Sequence, residues 1–204
     1  ISRIMTGFDR RGRNRHGREA MSAGLASDLK QLVSGQVLDD EPARLERSGD
    51  FGRMIRRVPD VVVRPATTAD IAAVIRYARR QAVPVATRGE AHSQSGQCLT
   101  DRGILLDMTS LNRILSIDPS ARAADCQAGV TWESLVRETI PRSLVPPVLT
   151  NNLGVTVGGT LSVAGLGVAS FRYGAQGDNV TEIEAVTGTG DTVVCSREEH
   201  PEVF

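Results

Sequence analysis

Aromatic residues make up only 3% of the 204-residue chain, and lysine occurs once, at Lys30. With so few rings, a core has to be built from Val, Leu, Ile and Ala, which the 40% hydrophobic content supplies. The near-absence of lysine reads as coding bias, because arginine carries the rest of the positive charge. Cysteine is scarce as well. Cys98, Cys126 and Cys195 form no CxxC pair and are odd in number, which argues against a disulfide scaffold. His16, His92 and His200 stand too far apart in sequence to read as a zinc-site spacing. No apolar run approaches the roughly 20 residues that a membrane-spanning helix needs. A formal net charge of zero gives the whole chain no preference for a polyanionic partner. Internal repeats, a GxGxxG run and a GxxxxGK[ST] phosphate loop are all missing.

The N-terminus carries Arg10, Arg11, Arg13, Arg15 and Arg18 without an apolar segment behind them, so it does not read as a secretory signal. Residues 1–20 are expected to be a disordered basic leader. A nucleic-acid or membrane-surface role for that leader stays open, and Met21 is a candidate natural start. A short helix is expected from residue 21, with Leu25, Leu29 and Leu32 at helical spacing. Residues 35–60 show no clear pattern.

From Val61 the pattern sharpens. Val61, Val62 and Val63 predict a buried strand ended by Arg64 and Pro65. Thr67 or Thr68 can cap a helix with Asp70 in its first turn, and Ile71, Val74, Ile75 and Ala78 continue it. Val83 to Thr87 is a second strand, which makes a βαβ unit with an expected parallel pairing. Further strands are expected at Ile104 to Met108, Ile114 to Ile117 and Ala123 to Ala128. A helix capped by Thr131 should run to about Thr139. Val180 to Thr187 and Thr192 to Cys195 predict two strands around a Thr189-Gly190-Asp191 turn.

Two segments carry chemistry. RGEAHSQSGQ at 88–97 is a polar loop after a strand, with Gly89 and Gly96 for tight turns and N–H groups able to bind an anion. His92 sits in its middle and is either a surface residue or a site residue. TVGGTLSVAGLG at 156–167 belongs to a stretch from 150 to 190 holding nine glycines, more than an ordinary helix or strand tolerates. Either it is a Gly-rich β-turn region or its backbone lies against a planar ligand or phosphate.

Together with SGDFGRM at 48–54, VVVRPATTADIAAVIRYA at 61–78, FRYGAQGDNV at 171–180 and AVTGTGDTVVCS at 185–196, these motifs resemble, in order and spacing, the FAD-binding domain of the vanillyl-alcohol oxidase (PCMH-type) superfamily. The likeness covers about residues 45–204 and is greatest to cytokinin dehydrogenases and their bacterial relatives. The resemblance implies an α+β fold, with a small parallel βαβ subdomain at about 45–110 and a mixed or antiparallel sheet subdomain with helices at 111–204. It implies bound FAD, tethered covalently through His92. Thr87, Arg88, Gly89, Glu90, Ala91 and Ser93 would surround the pyrophosphate, and Gln97 would make a further FAD contact. Thr156, Gly158, Gly159, Thr160 and Ser162 match a second FAD-contacting strip, with Leu166 and the strand near Val180 and Ile183 beside the adenine or flavin. The protein would position the flavin, and the flavin would do the electron chemistry.

Three positions depart from the family. Ala91 replaces the glycine that normally precedes the histidine. Asn151 stands where cytokinin dehydrogenases carry the aspartate base; an amide is no base near neutral pH, so Asn151 either orients a substrate or is a turn residue. Gly154 stands where bicovalent relatives carry a second flavin-linking cysteine, which leaves one flavin bond at most. Cys98, Cys126 and Cys195 then read as buried structural thiols. The family's substrate cap lies beyond Phe204, so a missing C-terminal part or a partner chain is expected to complete the pocket. The implied function is an FAD-dependent oxidase or dehydrogenase of a small amine or alcohol, located in the cytoplasm, with no nucleic-acid or membrane partner. A non-catalytic flavin-binding fragment of such an enzyme is the alternative.

Overall fold

In the computed structural model, which describes residues 15–204, the chain opens with α1 (Arg15–Leu32). The helix therefore begins inside the stretch expected to be a disordered leader, and residues 1–14 of that leader lie outside the described residues. Leu25, Ala26 and Leu29 bury one face of it. β1 (Gln36–Leu38) and α2 (Glu41–Glu46) then order a segment whose sequence showed no pattern. The signal at α2 is local: the Asp40 carboxylate accepts from Ala43 N–H at 2.9 Å, and Pro42 fills the first turn.

β2 (Val61–Arg64), α3 (Thr68–Gln81), β3 (Val85–Arg88) and β4 (Ile104–Asp107) follow the predicted order. Thr67 caps α3, and Ala82 in the left-handed region ends it. Asp70 does more than face the helix dipole. Its carboxylate accepts from the N–H groups of Ser34, Gly35 and Ala66 at 2.8 to 3.1 Å, which pins the turn before β1 to the start of α3. Burial pushes this carboxyl up, but those donors outweigh it and hold it below the ordinary carboxylate value.

The strand order is β1-β2-β4-β3. The expected βαβ unit is present, but its two strands are not neighbours. β4 inserts between β2 and β3, parallel to both, and β1 adds an antiparallel edge. Val61, Val62, Val63, Ile104, Leu105 and Leu106 are all fully buried, as strands covered on both faces must be.

The rest of the chain builds β5 (Ile114–Asp118), β6 (Ala123–Cys126), α4 (Trp132–Thr139), α5 (Val157–Leu161), α6 (Ser170–Tyr173), β7 (Glu182–Val186) and β8 (Thr192–Ser196). β5 pairs with β6 and β7 with β8, both antiparallel, and no barrel closes among the described residues. The fold is α+β, as expected. A second core gathers Val130, Trp132, Leu135, Val155 and Val157. The β7–β8 hairpin packs back on α3, where Arg76 donates to Gly190 O and Thr68 to Glu184. No helix among the described residues is long and apolar enough to cross a membrane.

Candidate functional site

The chain leaves β3 at Arg88 and enters the polar loop at the C-terminal end of the parallel strands, the usual place for a ligand site in such sheets. The Arg88 guanidinium turns away from the loop and donates to Gly49 O at 2.7 Å. This ties the loop's root to the segment 47–54. Behind it, the Arg47 guanidinium pairs with the buried Asp107 carboxylate at 2.8 Å.

Residues 50–52 cross the loop and grip it at four points. Phe51 N–H donates to Ala91 O at 2.8 Å, and Gly52 N–H to Ser93 O at 3.4 Å. The Asp50 carboxylate accepts from Gly96 N–H at 2.7 Å and from the Ser93 hydroxyl at 3.0 Å. Asp50 is buried. Burial pushes its carboxyl up, yet the donors from Gly96, Ser93 and Arg53 win and hold it below the ordinary value. Held this way, Ala91 takes a φ of 55°, in the left-handed region that favours glycine.

The grip leaves the loop's own amides free. The N–H groups of residues 90–94 donate to no described residue, while Ser95 N–H is taken by Gln97 and Gly96 N–H by Asp50. A run of unpaired N–H groups around a left-handed residue is an anion-binding concavity, which suits a pyrophosphate. His92 projects from its middle, exposed, with its ring stacked on Phe51 at 4.4 Å between centroids. Thr87 and Glu90 are exposed as well.

The second predicted strip is a short helix, not a β-turn region. Thr156 caps α5 by accepting from Gly159 N–H at 3.2 Å. A Cβ on Gly89 would overlap the Thr156 side chain, so the two strips meet at these residues. The remaining positions divide. Gly158 serves packing, since a Cβ there would crowd Ala128 at 2.7 Å. Thr160 faces the core, where its hydroxyl accepts from Trp132 Nε1 at 2.9 Å. The Ser162 hydroxyl is spent on Gly158 O at 2.8 Å. The Thr160 hydroxyl is thus committed inside the protein and the exposed Ser162 hydroxyl bonds its own helix, because a helix points successive side chains in different directions where a strand would alternate them. Leu166 is exposed, within an apolar surface run that includes Val163, Val168 and Phe171.

Asn151 is exposed, and the turn after it is closed by Asn152, which accepts from Gly154 N–H at 2.9 Å. Of the three thiols only Cys195 is buried. Cys98 lies 3.1 Å from the Ser93 hydroxyl, at the edge of the loop. Asp50 and Phe51 are the positions to which sequence reasoning assigned no role. Their one signal was their place in the SGDFGRM motif. A cavity of about 590 Å³ lies between β5 and α4 and is lined by Leu115, Ser134 and Arg142, away from every predicted site residue.

The FAD binding domain family matches residues 59–196. Cytokinin dehydrogenase 7 of Oryza sativa subsp. japonica is 40% identical over 191 residues, spanning 90% of this chain and 36% of that protein. An uncharacterized oxidoreductase, ORF5 in the fasciation locus of Rhodococcoides fascians, is 41% identical over 172 residues, spanning 84% of this chain and 39% of that protein. The solved structure of 6-hydroxy-D-nicotine oxidase from Arthrobacter nicotinovorans superposes with a TM-score of 0.74 at 28% identity, covering 84% of this chain and 38% of the other. The chain thus spans less than two fifths of each of these relatives. The residues of the loop fit the pyrophosphate of FAD through their free amides, and the chain belongs to the FAD-binding domain family.

Proposed function

We propose that this chain is the FAD-binding part of an FAD-dependent oxidoreductase, an oxidase or dehydrogenase of a small amine or alcohol, with the flavin attached through His92. The observation that carries this reading is the run of free amides at 90–94 with the exposed His92 imidazole at its centre. Those amides bind the pyrophosphate, and His92 supplies a ring nitrogen able to bond to carbon. Close contact between Gly89 and Thr156 brings the cap of α5 against the root of the same loop. Flavin held there by the 90–94 amides and His92 would supply the redox chemistry, and the protein would supply its position. The similarity to a cytokinin dehydrogenase and to 6-hydroxy-D-nicotine oxidase supports redox chemistry on a small nitrogen-containing molecule. Cytokinin itself is disfavoured, because Asn151 offers no base.

A second reading, a flavin-binding module without turnover of its own, is favoured by Asn151 and by the burial of the Thr160 hydroxyl against Trp132. The deciding measurement is the visible spectrum of the purified protein before and after acid precipitation. Yellow colour in the pellet, lost in His92→Ala, supports the proposed attachment. Yellow colour released to the supernatant removes the tether and keeps FAD. A protein that stays colourless after incubation with FAD rejects the reading.

A further inference from the structure

We propose that Phe51 is a positioning residue, which fixes the plane of the His92 imidazole before flavin arrives. The inference rests on the reading of His92 as the flavin-carrying residue. The two rings lie 4.4 Å apart between centroids and are inclined by 20°, a stacked pair. Among the described residues Phe51 belongs to neither hydrophobic core and is 61% exposed, and its recorded ring contact is with His92.

The backbone explains why the stack is held. Phe51 N–H bonds Ala91 O, and Gly52 N–H bonds Ser93 O, one on each side of His92 in sequence. Gly52 approaches so closely that a Cβ there would overlap the Gln94 backbone. The Asp50 carboxylate secures Ser93 and Gly96 beyond. Three consecutive residues therefore set the phenyl ring over the imidazole with the loop backbone locked in register. An exposed imidazole otherwise samples several rotamers, and ordering it in advance lowers the barrier to any reaction at its nitrogen.

In that reaction an imidazole nitrogen bonds to the flavin 8α carbon. One hydrogen leaves each partner as a proton, and the electron pair freed from the C–H bond reduces the ring. Dioxygen then takes both electrons and both protons as hydrogen peroxide. Phe51 takes no part in the electron flow; it holds the attacking ring in line.

The test compares the wild-type protein, expressed from its complete gene as apoprotein, with Phe51→Leu and Phe51→Tyr. Three quantities are read: the His92 ring-proton chemical shifts, the Kd for FAD, and the rate at which flavin becomes acid-precipitable. Phe51→Leu should move the His92 resonances, because the ring current is gone. It should slow covalent incorporation by about two- to tenfold, the usual range for an aromatic pair, with the FAD Kd changed by less than about twofold. Phe51→Tyr should restore the wild-type rate. Covalent wild-type flavin with an unaltered Phe51→Leu rate overturns the role of Phe51 and leaves His92 standing. Slowing matched by an equal loss of FAD affinity also overturns it, as that marks general damage to the loop. Flavin that leaves the wild-type protein on denaturation overturns the reading of His92 and takes the role of Phe51 with it.

Discussion

Gly89 and Thr156 stand against each other so closely that a Cβ on Gly89 would overlap the threonine side chain. The contact joins the loop after β3 to the cap of α5, and Thr156 is buried beneath it. Gly89→Ala should therefore push the two strips apart. The expected cost is about 1–3 kcal/mol, as for other overpacked sites, together with weaker FAD binding. Thermal unfolding and FAD titration check both. A variant that matches wild type in each would show that the strips need not touch.

Ala91 holds a φ of 55° with its methyl group buried. Ala91→Gly should change stability by less than about 0.5 kcal/mol, because relief of the left-handed backbone offsets the lost methyl contact and the greater freedom of the unfolded chain. Ala91→Val adds a second branch at the same positive φ and should cost about 2 kcal/mol. Urea denaturation of the pair measures the contrast. Equal stability of the two variants would mean that the loop does not hold residue 91 in this conformation.

Trp132, the single tryptophan, donates through Nε1 to the Thr160 hydroxyl at 2.9 Å inside the second core. Thr160→Val keeps the shape and removes the acceptor. Leaving that N–H buried and unpaired should destabilise the protein by about 1–3 kcal/mol. Trp132 fluorescence should shift in the folded state as the indole loses its partner. An unchanged emission maximum and midpoint would place the Thr160 hydroxyl elsewhere, free to face a ligand.

Asp50, Asp70 and Asp107 are all held below the ordinary carboxylate value by the donors around them. Each favours the fold while ionised. That contribution is complete above the unfolded-chain pKa of about 4. It shrinks as pH falls below that value and is gone once the folded values are passed. Acid titration followed by circular dichroism should show unfolding in that window. Asp50→Asn should loosen the His92 loop at neutral pH, seen as faster exchange of the hydrogen-bonded amides of Phe51, Gly52 and Gly96. Exchange as slow as in the wild type would show that the backbone bonds of Phe51 and Gly52 hold the loop without the carboxylate.

Much of the fold was legible in the sequence because the signals were local. Val61 to Val63, the Thr67 and Thr131 caps, and the turn at Gly190 each act within a few residues, and the elements follow them closely. α5 was misread because glycine counts as a helix breaker; here Thr156 caps one turn, and Gly158 is needed where Ala128 comes close. The segment 35–60 was illegible because its order comes from partners far along the chain. Ser34 and Gly35 are held by Asp70, and residues 50–52 by the loop after β3.

By itself the sequence determined the type and order of the elements from β2 to α4 and of β7 and β8, and the presence of His92 in a polar loop, since propensity, capping and glycine placement are properties of short segments. Only the tertiary structure decided that β4 enters between β2 and β3, that Gly89 meets Thr156, that Thr160 faces the core, and that Phe51 lies over His92. Each of these depends on which distant segments bury their apolar faces together. Close packing between segments settles that, and no pattern within one of them records it.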